Sequence, residues 1–199
     1  MSKEQIADFL KANFSKIKLV CNALYQKDLI AGTDGNVSIR LPDNKGFLIT
    51  ASGIHKGFLK IEDMVGVDWQ GNVIFGNVTP SSESQLHSAI YQADKGINSI
   101  IHTHAPWTTA LNLSGKAFDM EKLVETKTVL KKVEVVPYSP PGTKELAQNS
   151  VKKLGSGPAL ILEKHGAVTY GKDIEQAFVF MECLEHNAKI IALSYMING

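Results

Sequence analysis

Cysteine is scarce in this chain. Cys21 and Cys183 are the only two, both fall in segments of helical periodicity, and no C-x-x-C spacing occurs, which excludes a disulfide framework and points to buried thiols in a reducing compartment. An excess of one charge is missing too. Lys and Arg number 21 against 20 Asp and Glu, for a formal net charge of +1 with no basic run. That balance leaves no electrostatic footprint for nucleic acid or an anionic membrane surface, so any anionic partner is expected to be small and locally bound. Long apolar runs are absent: no segment is long enough to span a bilayer, and the opening MSKEQIADFLKANFSKIKLV mixes charges into what would be the apolar core of a secretory signal. The cytoplasm is the expected location. Repeats, linkers and low-complexity tracts are missing as well. With 199 residues, 44% of them hydrophobic, the chain can bury one substantial core and is too short for two, so residues 1–199 are expected to form a single domain.

What is present is a succession of helical and extended periods. Ile6, Phe9, Leu10, Ile17, Val20 and Leu24 share a stripe, and Ser2 with Gln5 makes a capping box, so the spacing predicts a helix over Ser2 to Lys27. A loop, Ala31-Gly32-Thr33-Asp34-Gly35-Asn36, leads into a hairpin of Val37 to Leu41 and Phe47 to Thr50. After a second loop, Ala51 to Gly57, the runs Met64 to Trp69 and Val73 to Phe75 form another hairpin. Helices are then expected over Ser82 to Ala93, from Pro106, around Glu121 to Leu130, over Thr143 to Leu154 and from Asp173, with strands at Ser99 to His102, Val133 to Val136, Ala159 to Leu162 and Ala167 to Tyr170. Asp173 with Gln176 caps the last helix. The fold class is α/β: a central, mostly antiparallel sheet with helices on its faces, closed by the first and last helices.

His102-Thr103-His104 is the sharpest local signal. Residues two apart in an extended segment project from one face, so both imidazoles can reach one metal, and the pair sits where a buried strand ends. Two histidines hydrogen-bonded to solvent and backbone fit the same spacing. His165, in the turn Glu163-Lys164-His165-Gly166, supplies a third imidazole; three imidazoles and an open position describe a catalytic zinc site, although His165 alone fits an ordinary polar turn. Glu83 follows Pro80-Ser81-Ser82 at the start of a helix, where it serves as a first-turn acid behind a serine N-cap, or as a general base beside the anion-binding amides of a helix N-terminus. The loops at Gly32 to Asn36 and Thr50 to Gly53 carry the hydroxyls and backbone donors that cradle phosphate, unless Asp34 points inward and repels it.

In order along the chain stand G-T-D-G-N-V-S from Gly32, T-A-S-G from Thr50, P-S-S-E from Pro80, H-T-H from His102 and K-H-G from Lys164. With these motifs the chain resembles the class II aldolase and adducin head-domain family over nearly its whole length, most closely the small fuculose-phosphate aldolase type. The resemblance implies a three-layer α/β/α sandwich assembled as a homotetrameric ring with sites between subunits. It implies one zinc per subunit on His102, His104 and His165, with Glu83 as an acid/base that also ligates the metal when no substrate is bound. It implies phosphate contacts from Gly35, Asn36, Ser52, Gly53, Ser81 and Ser82. The activity it implies is cleavage of a ketose 1-phosphate into dihydroxyacetone phosphate and a short aldehyde.

The chain departs from that family type in two places. A tyrosine expected before the Val133 strand is replaced by Leu123 and Val124, with Glu125 nearby, and a C-terminal tail with another tyrosine does not follow the last helix, so the group that protonates the aldehyde oxygen is unassigned. Tyr91, Tyr138 and Tyr170 each offer a phenol. His87 is expected to pack against the core, His55 and Lys56 to face the phosphate or lie exposed, and Glu182 with His186 to form a surface or interface pair. Two other readings stand beside the aldolase. Ser52, Gly53, Lys56 and Gly57 resemble the S-G-x-x-K-G loop of methylthioribulose-phosphate dehydratases, which expel water with the same zinc and glutamate. A non-catalytic adducin-like module lacks an intact metal triad.

Overall fold

Residues 117, 120, 125 and 199 aside, the computed structural model describes the whole chain. Helix α1, Lys3–Gln26, buries the expected stripe of Ile6, Leu10, Ile17, Val20, Cys21 and Leu24, and both bonds of the Ser2/Gln5 capping box are formed. Strands β1 (Asn36–Arg40) and β2 (Gly46–Thr50) make the first hairpin, β3 (Met64–Asp68) and β4 (Val73–Phe75) the second. Then come α2 (Ser84–Ala93), β5 (Ser99–Thr103), α3 (Pro106–Leu113), β6 (Val133–Val136), α4 (Lys144–Val151), β7 (Ala159–Leu162), β8 (Gly166–Gly171) and α5 (Ile174–Asn198).

The eight strands form one sheet in the order β4-β3-β2-β1-β5-β8-β7-β6, antiparallel throughout except for the parallel pair β6 and β7. Side chains alternate between its faces. Phe47, Ile49, Val65, Val67, Ile100, Leu160, Leu162 and Val168 point to one side, where they pack with Leu86, Ile90 and Tyr91 of α2 and Leu146 of α4. Val37, Ile39, Leu48, Met64, Ile101 and Ala167 point to the other, against α1 and the Ala177, Met181 and Leu184 stripe of α5. Helix, sheet and helix thus make the three layers expected. At roughly 25 cal/mol per Å² of apolar surface, each fully buried Leu or Ile of these clusters contributes about 1.5–3 kcal/mol.

Two elements differ from expectation. Within the Glu121 to Leu130 segment, Thr126–Leu130 is wound as a single π turn. Val124, Thr126, Thr128 and Val129 are β-branched and lose side-chain freedom in an α-helix, and Lys131, at φ 58°, then breaks the coil. Glu125 lies outside the described residues. Helix α2 begins after Glu83 instead of at Ser82: Glu83 occupies the N-cap position, but its carboxylate makes no cap bond, and Ser81 Oγ accepts the Glu83 N–H at 3.3 Å.

Candidate active site

His102 lies in β5, opposite Val168 of β8, on the α2 face of the sheet. Its Nδ1 is 3.0 Å from the Ala167 carbonyl, and since a carbonyl only accepts, Nδ1 carries the proton. The Nε2 lone pair is therefore bare, and that atom is buried without a hydrogen-bond partner. His104 follows on the same side, its Nδ1 3.4 Å from the Asp34 carboxylate. His165 arrives from the β7–β8 turn, which closes through His165 N–H to the Leu162 carbonyl at 3.0 Å. Gly166 makes the approach possible: a Cβ there would stand 2.2 Å from the Thr103 carbonyl oxygen.

The three rings converge. Their centroids are 4.7–5.2 Å apart, and one ligand atom from each lies within 4.8 Å of the others. Burial first, then the neighbouring imidazoles His165 and His104, hold His102 well below the usual histidine range. Burial, with His104, brings His165 down to about 4. His102 and His165 are therefore neutral, and His102 Nε2 and His165 Nδ1 are buried with no hydrogen-bond partner among the described residues. A divalent cation fits this donor set of three nitrogens, one ring oriented by a carbonyl and one by a carboxylate.

Glu83 sits at the start of α2, a helix packed over β1. His87 Nδ1 is 2.6 Å from Ser38 Oγ, and one turn on Tyr91 Oη is 2.8 Å from Ser38 Oγ while its carbonyl accepts from Arg40. Four helical residues advance about 6 Å and two strand residues about 6.7 Å, so the helix keeps step with the strand. One turn back on α2 is Glu83, and two residues back on β1 is Asn36, the cross-strand partner of His102. Its side chain is 5% exposed and its Oε2 has no partner. Burial pushes its carboxyl above the usual range, opposed in part by the Gly142 backbone N–H. The carboxylate lies outside the group of mutually close imidazole nitrogens.

The loops with the remaining candidates gather at this end of the sheet. Ser52 N–H donates to the Thr79 carbonyl at 2.9 Å and Ala51 bridges Pro80, joining the T-A-S-G and P-S-S-E segments. Gly35, at φ 67°, passes so close to β5 that a Cβ would meet the His102 carbonyl oxygen at 2.6 Å. Asn36 and Ser81 are buried, the Asn36 Oδ1 without a partner, whereas Ser52, Gly53 and Ser82 are exposed. Asp34 turns its carboxylate toward His104.

Other candidates sort themselves. His87 is fully buried, and burial alone brings it down to about 3. Glu182 pairs with Lys27 at 3.0 Å and not with His186. His55 packs its ring on Tyr25 and Phe58, and Lys56, neither exposed nor at the surface, is 2% accessible. Tyr91 and Tyr170 spend their hydroxyls on Ser38 and the Gly157 carbonyl; Tyr138 is half exposed, beside Lys164. Leu123 packs toward α3 and α5, and Val124 is exposed.

One supporting residue has no local sequence signal. Glu185 of α5 accepts Trp107 N–H at 2.7 Å and both Thr108 N–H and Thr108 Oγ at 2.8 Å, capping the helix that starts just after His104. The signal lay at the other end. Ala105 before Pro106 cannot cap, so the free amides of α3 need an acceptor from elsewhere in the chain.

Comparison with known proteins agrees with this architecture. An L-fuculose phosphate aldolase of Methanococcus maripaludis (strain C7 / ATCC BAA-1331) is 41% identical over 187 residues, which cover 94% of this chain and 97% of that one. A 3-oxo-tetronate 4-phosphate decarboxylase of Haemophilus influenzae is 32% identical, covering 84% of this chain and 81% of its own length. A solved L-fuculose 1-phosphate aldolase superposes with a TM-score of 0.83 at 32% identity, over 93% of this chain and 87% of that one. Residues 15–192 match the family model described as class II aldolase and adducin N-terminal domain, and the chain belongs to that family.

Proposed function

We propose that residues 1–199 are one catalytic domain, a zinc-dependent lyase that cleaves a ketose 1-phosphate of the L-fuculose 1-phosphate kind into dihydroxyacetone phosphate and a short aldehyde. The observation that supports the reading is the presence, in one fold, of three converging imidazoles and a buried carboxyl that neither caps its helix nor, among the described residues, meets a cation. His102, His104 and His165 would hold one zinc, which when bound supplies a Lewis acid for the carbonyl and adjacent hydroxyl oxygens of the sugar.

The chain's own residues account for the rest. The phosphate is held by backbone and side-chain donors of Gly35, Asn36, Ser52, Gly53, Ser81 and Ser82. Asn36 lies one strand from His102 and Ser52 follows β2, two strands away, roughly 5–10 Å at the usual strand spacing, which suits a phosphate one carbon from the carbonyl. Fixing that end aligns the C3–C4 bond for cleavage. As the bond breaks, the C4 hydroxyl gives its proton to a base outside the assigned residues and becomes the aldehyde, the bond's electron pair becomes the enediolate of dihydroxyacetone phosphate, and Glu83, its carboxyl held above the usual range by burial, delivers a proton to C3. The exposed apolar side chains Val179, Ile190, Leu193 and Ile197 of α5 support assembly into an oligomer, a homotetramer in the resemblance.

A second reading is favoured by the decarboxylase relative. Loss of carbon dioxide from a 3-oxo-tetronate 4-phosphate leaves the same enediolate, so the same metal, phosphate clamp and proton donor serve, and only the departing electrophile differs. Incubating the metal-loaded protein with fuculose, ribulose and methylthioribulose 1-phosphates and with a 3-oxo-tetronate 4-phosphate separates the cases. Dihydroxyacetone phosphate plus an aldehyde is the expected outcome. Dihydroxyacetone phosphate plus carbon dioxide selects the second reading, a dehydrated diketone selects the dehydratase, and no turnover with no bound metal selects the adducin-like module.

A further inference from the structure

Lys56 is the charged side chain for which the proposed chemistry has no use, and it is almost entirely buried, at 2% exposure. Its ammonium donates to the Thr33 carbonyl and, at 3.1 Å, to the Ile54 carbonyl. Among the described residues no carboxylate forms an ion pair with it, and its buried neighbour Cys21 is a thiol that burial pushes up to about 12, hence neutral. Asp34, whose charge acts on Lys56 from a distance, is engaged with His104. An ammonium buried against carbonyls alone is costly, and an apolar side chain would pack there at less expense.

What the ammonium accomplishes is a junction. Thr33 belongs to the loop that carries Gly35 and Asn36, and Ile54 to the loop that carries Ser52 and Gly53, two segments otherwise linked by Val37 N–H to Thr50 Oγ1 at 3.2 Å. One cation ties both loops and leaves a buried positive charge between them. We infer that Lys56 is a positioning residue for the anion site: it sets the two glycine loops at a fixed separation and supplies the buried charge that a bound phosphate dianion compensates. The inference rests on the phosphate reading of these loops, and phosphate binding by the wild-type protein tests that reading separately.

The test uses inorganic phosphate as the probe, titrated calorimetrically into metal-loaded wild type, K56M and K56R. Wild type is expected to bind phosphate, and K56M to bind it on the order of tenfold or more weakly, because a charge in a low-dielectric site has been removed. Its metal content should stay at the wild-type level and KM for the ketose phosphate should rise more than kcat falls. K56R, which keeps the charge, should recover part of the loss. A wild type that ignores phosphate overturns the reading of the loops themselves. A folded K56M that binds phosphate as wild type does overturns the role of Lys56 alone. Should K56M fail to fold, the wild-type ammonium resonance, assigned by its absence in K56R, decides: it should move on adding phosphate with the calorimetric affinity, and a resonance that stays put overturns the inference.

Discussion

His102 gives its Nδ1 proton to the Ala167 carbonyl at 3.0 Å, and this one bond determines which nitrogen of the ring can bind a metal. The β5–β8 ladder holds both partners, so the ligand is oriented by backbone and not by a side chain free to rotate. His102→Ala is expected to purify with far less divalent metal than wild type. Wild type should also lose stability to a chelator: with metal at one hundred times its dissociation constant, linkage gives about 2.7 kcal/mol, or roughly 5–10 °C in Tm for a domain of this size. Equal metal content in the variant, or a Tm indifferent to chelator, would remove the three-imidazole site.

Glu83→Gln separates chemistry from stability. Turnover should vanish because the amide cannot exchange a proton at carbon, while the metal stays, since the carboxylate is not among the converging ligand atoms. The raised carboxyl also makes a stability claim. A carboxyl whose folded pKa is above its unfolded value favours the folded state while protonated and loses that contribution as pH rises from the unfolded pKa through the folded one. Metal-free Glu83→Gln should therefore melt above metal-free wild type at pH 8, with the gap closing toward pH 4. A variant less stable than wild type at pH 8 would mean that the carboxylate has a partner in the fold.

Much of this site was legible before folding was known, and the remainder was hidden for identifiable reasons. His102 and His104 declare themselves because extended backbone alternates faces, and strand or not was the only uncertainty. His165 is a different matter: its convergence depends on β8 lying beside β5, and strand order is a property of the whole sheet. Glu83 could be placed at a helix start, yet whether its carboxylate capped that helix depended on α2 beginning one residue beyond it. Glu185 escaped, and Lys56 was named without its burial, because the Thr33 carbonyl and the Trp107 amide lie 23 and 78 positions away, contacts that leave no mark on local periodicity. The π turn at Thr126–Leu130 was missed because β-branched residues weaken an α-helix without announcing what replaces it.

Gly35→Ala tests the close approach of the first loop to β5. Alanine at positive φ costs roughly 1–2 kcal/mol, and the added carbon would overlap a backbone oxygen that cannot yield without moving His102. With that overlap the loss is expected to be about 2–4 kcal/mol in urea unfolding. Metal occupancy should fall alongside, because the displaced atom belongs to a ligand residue. Gly53→Ala has the same positive φ and open space around it, so it should lose only the conformational part and keep its metal. If both variants behave alike, the contact with His102 has no consequence.

His87 supplies the acid limb of stability. It is buried, brought down to about 3 by burial alone, and bonded through Nδ1 to Ser38, so it is neutral in the folded protein and takes up a proton near its ordinary pKa of about 6.5 when the chain unfolds. The folded value lies below the unfolded one. Its contribution is therefore complete above about pH 6.5 and is lost progressively as pH falls toward the folded value, at up to about 1.4 kcal/mol per pH unit. Replacing it with glutamine, which keeps a polar group for Ser38, removes that proton from the unfolding equilibrium. Between pH 6 and pH 4 the urea midpoint of metal-free His87→Gln should thus fall less steeply than that of metal-free wild type, by close to one proton in the linkage slope. Parallel slopes would mean that the buried ring already carries its proton in the folded state.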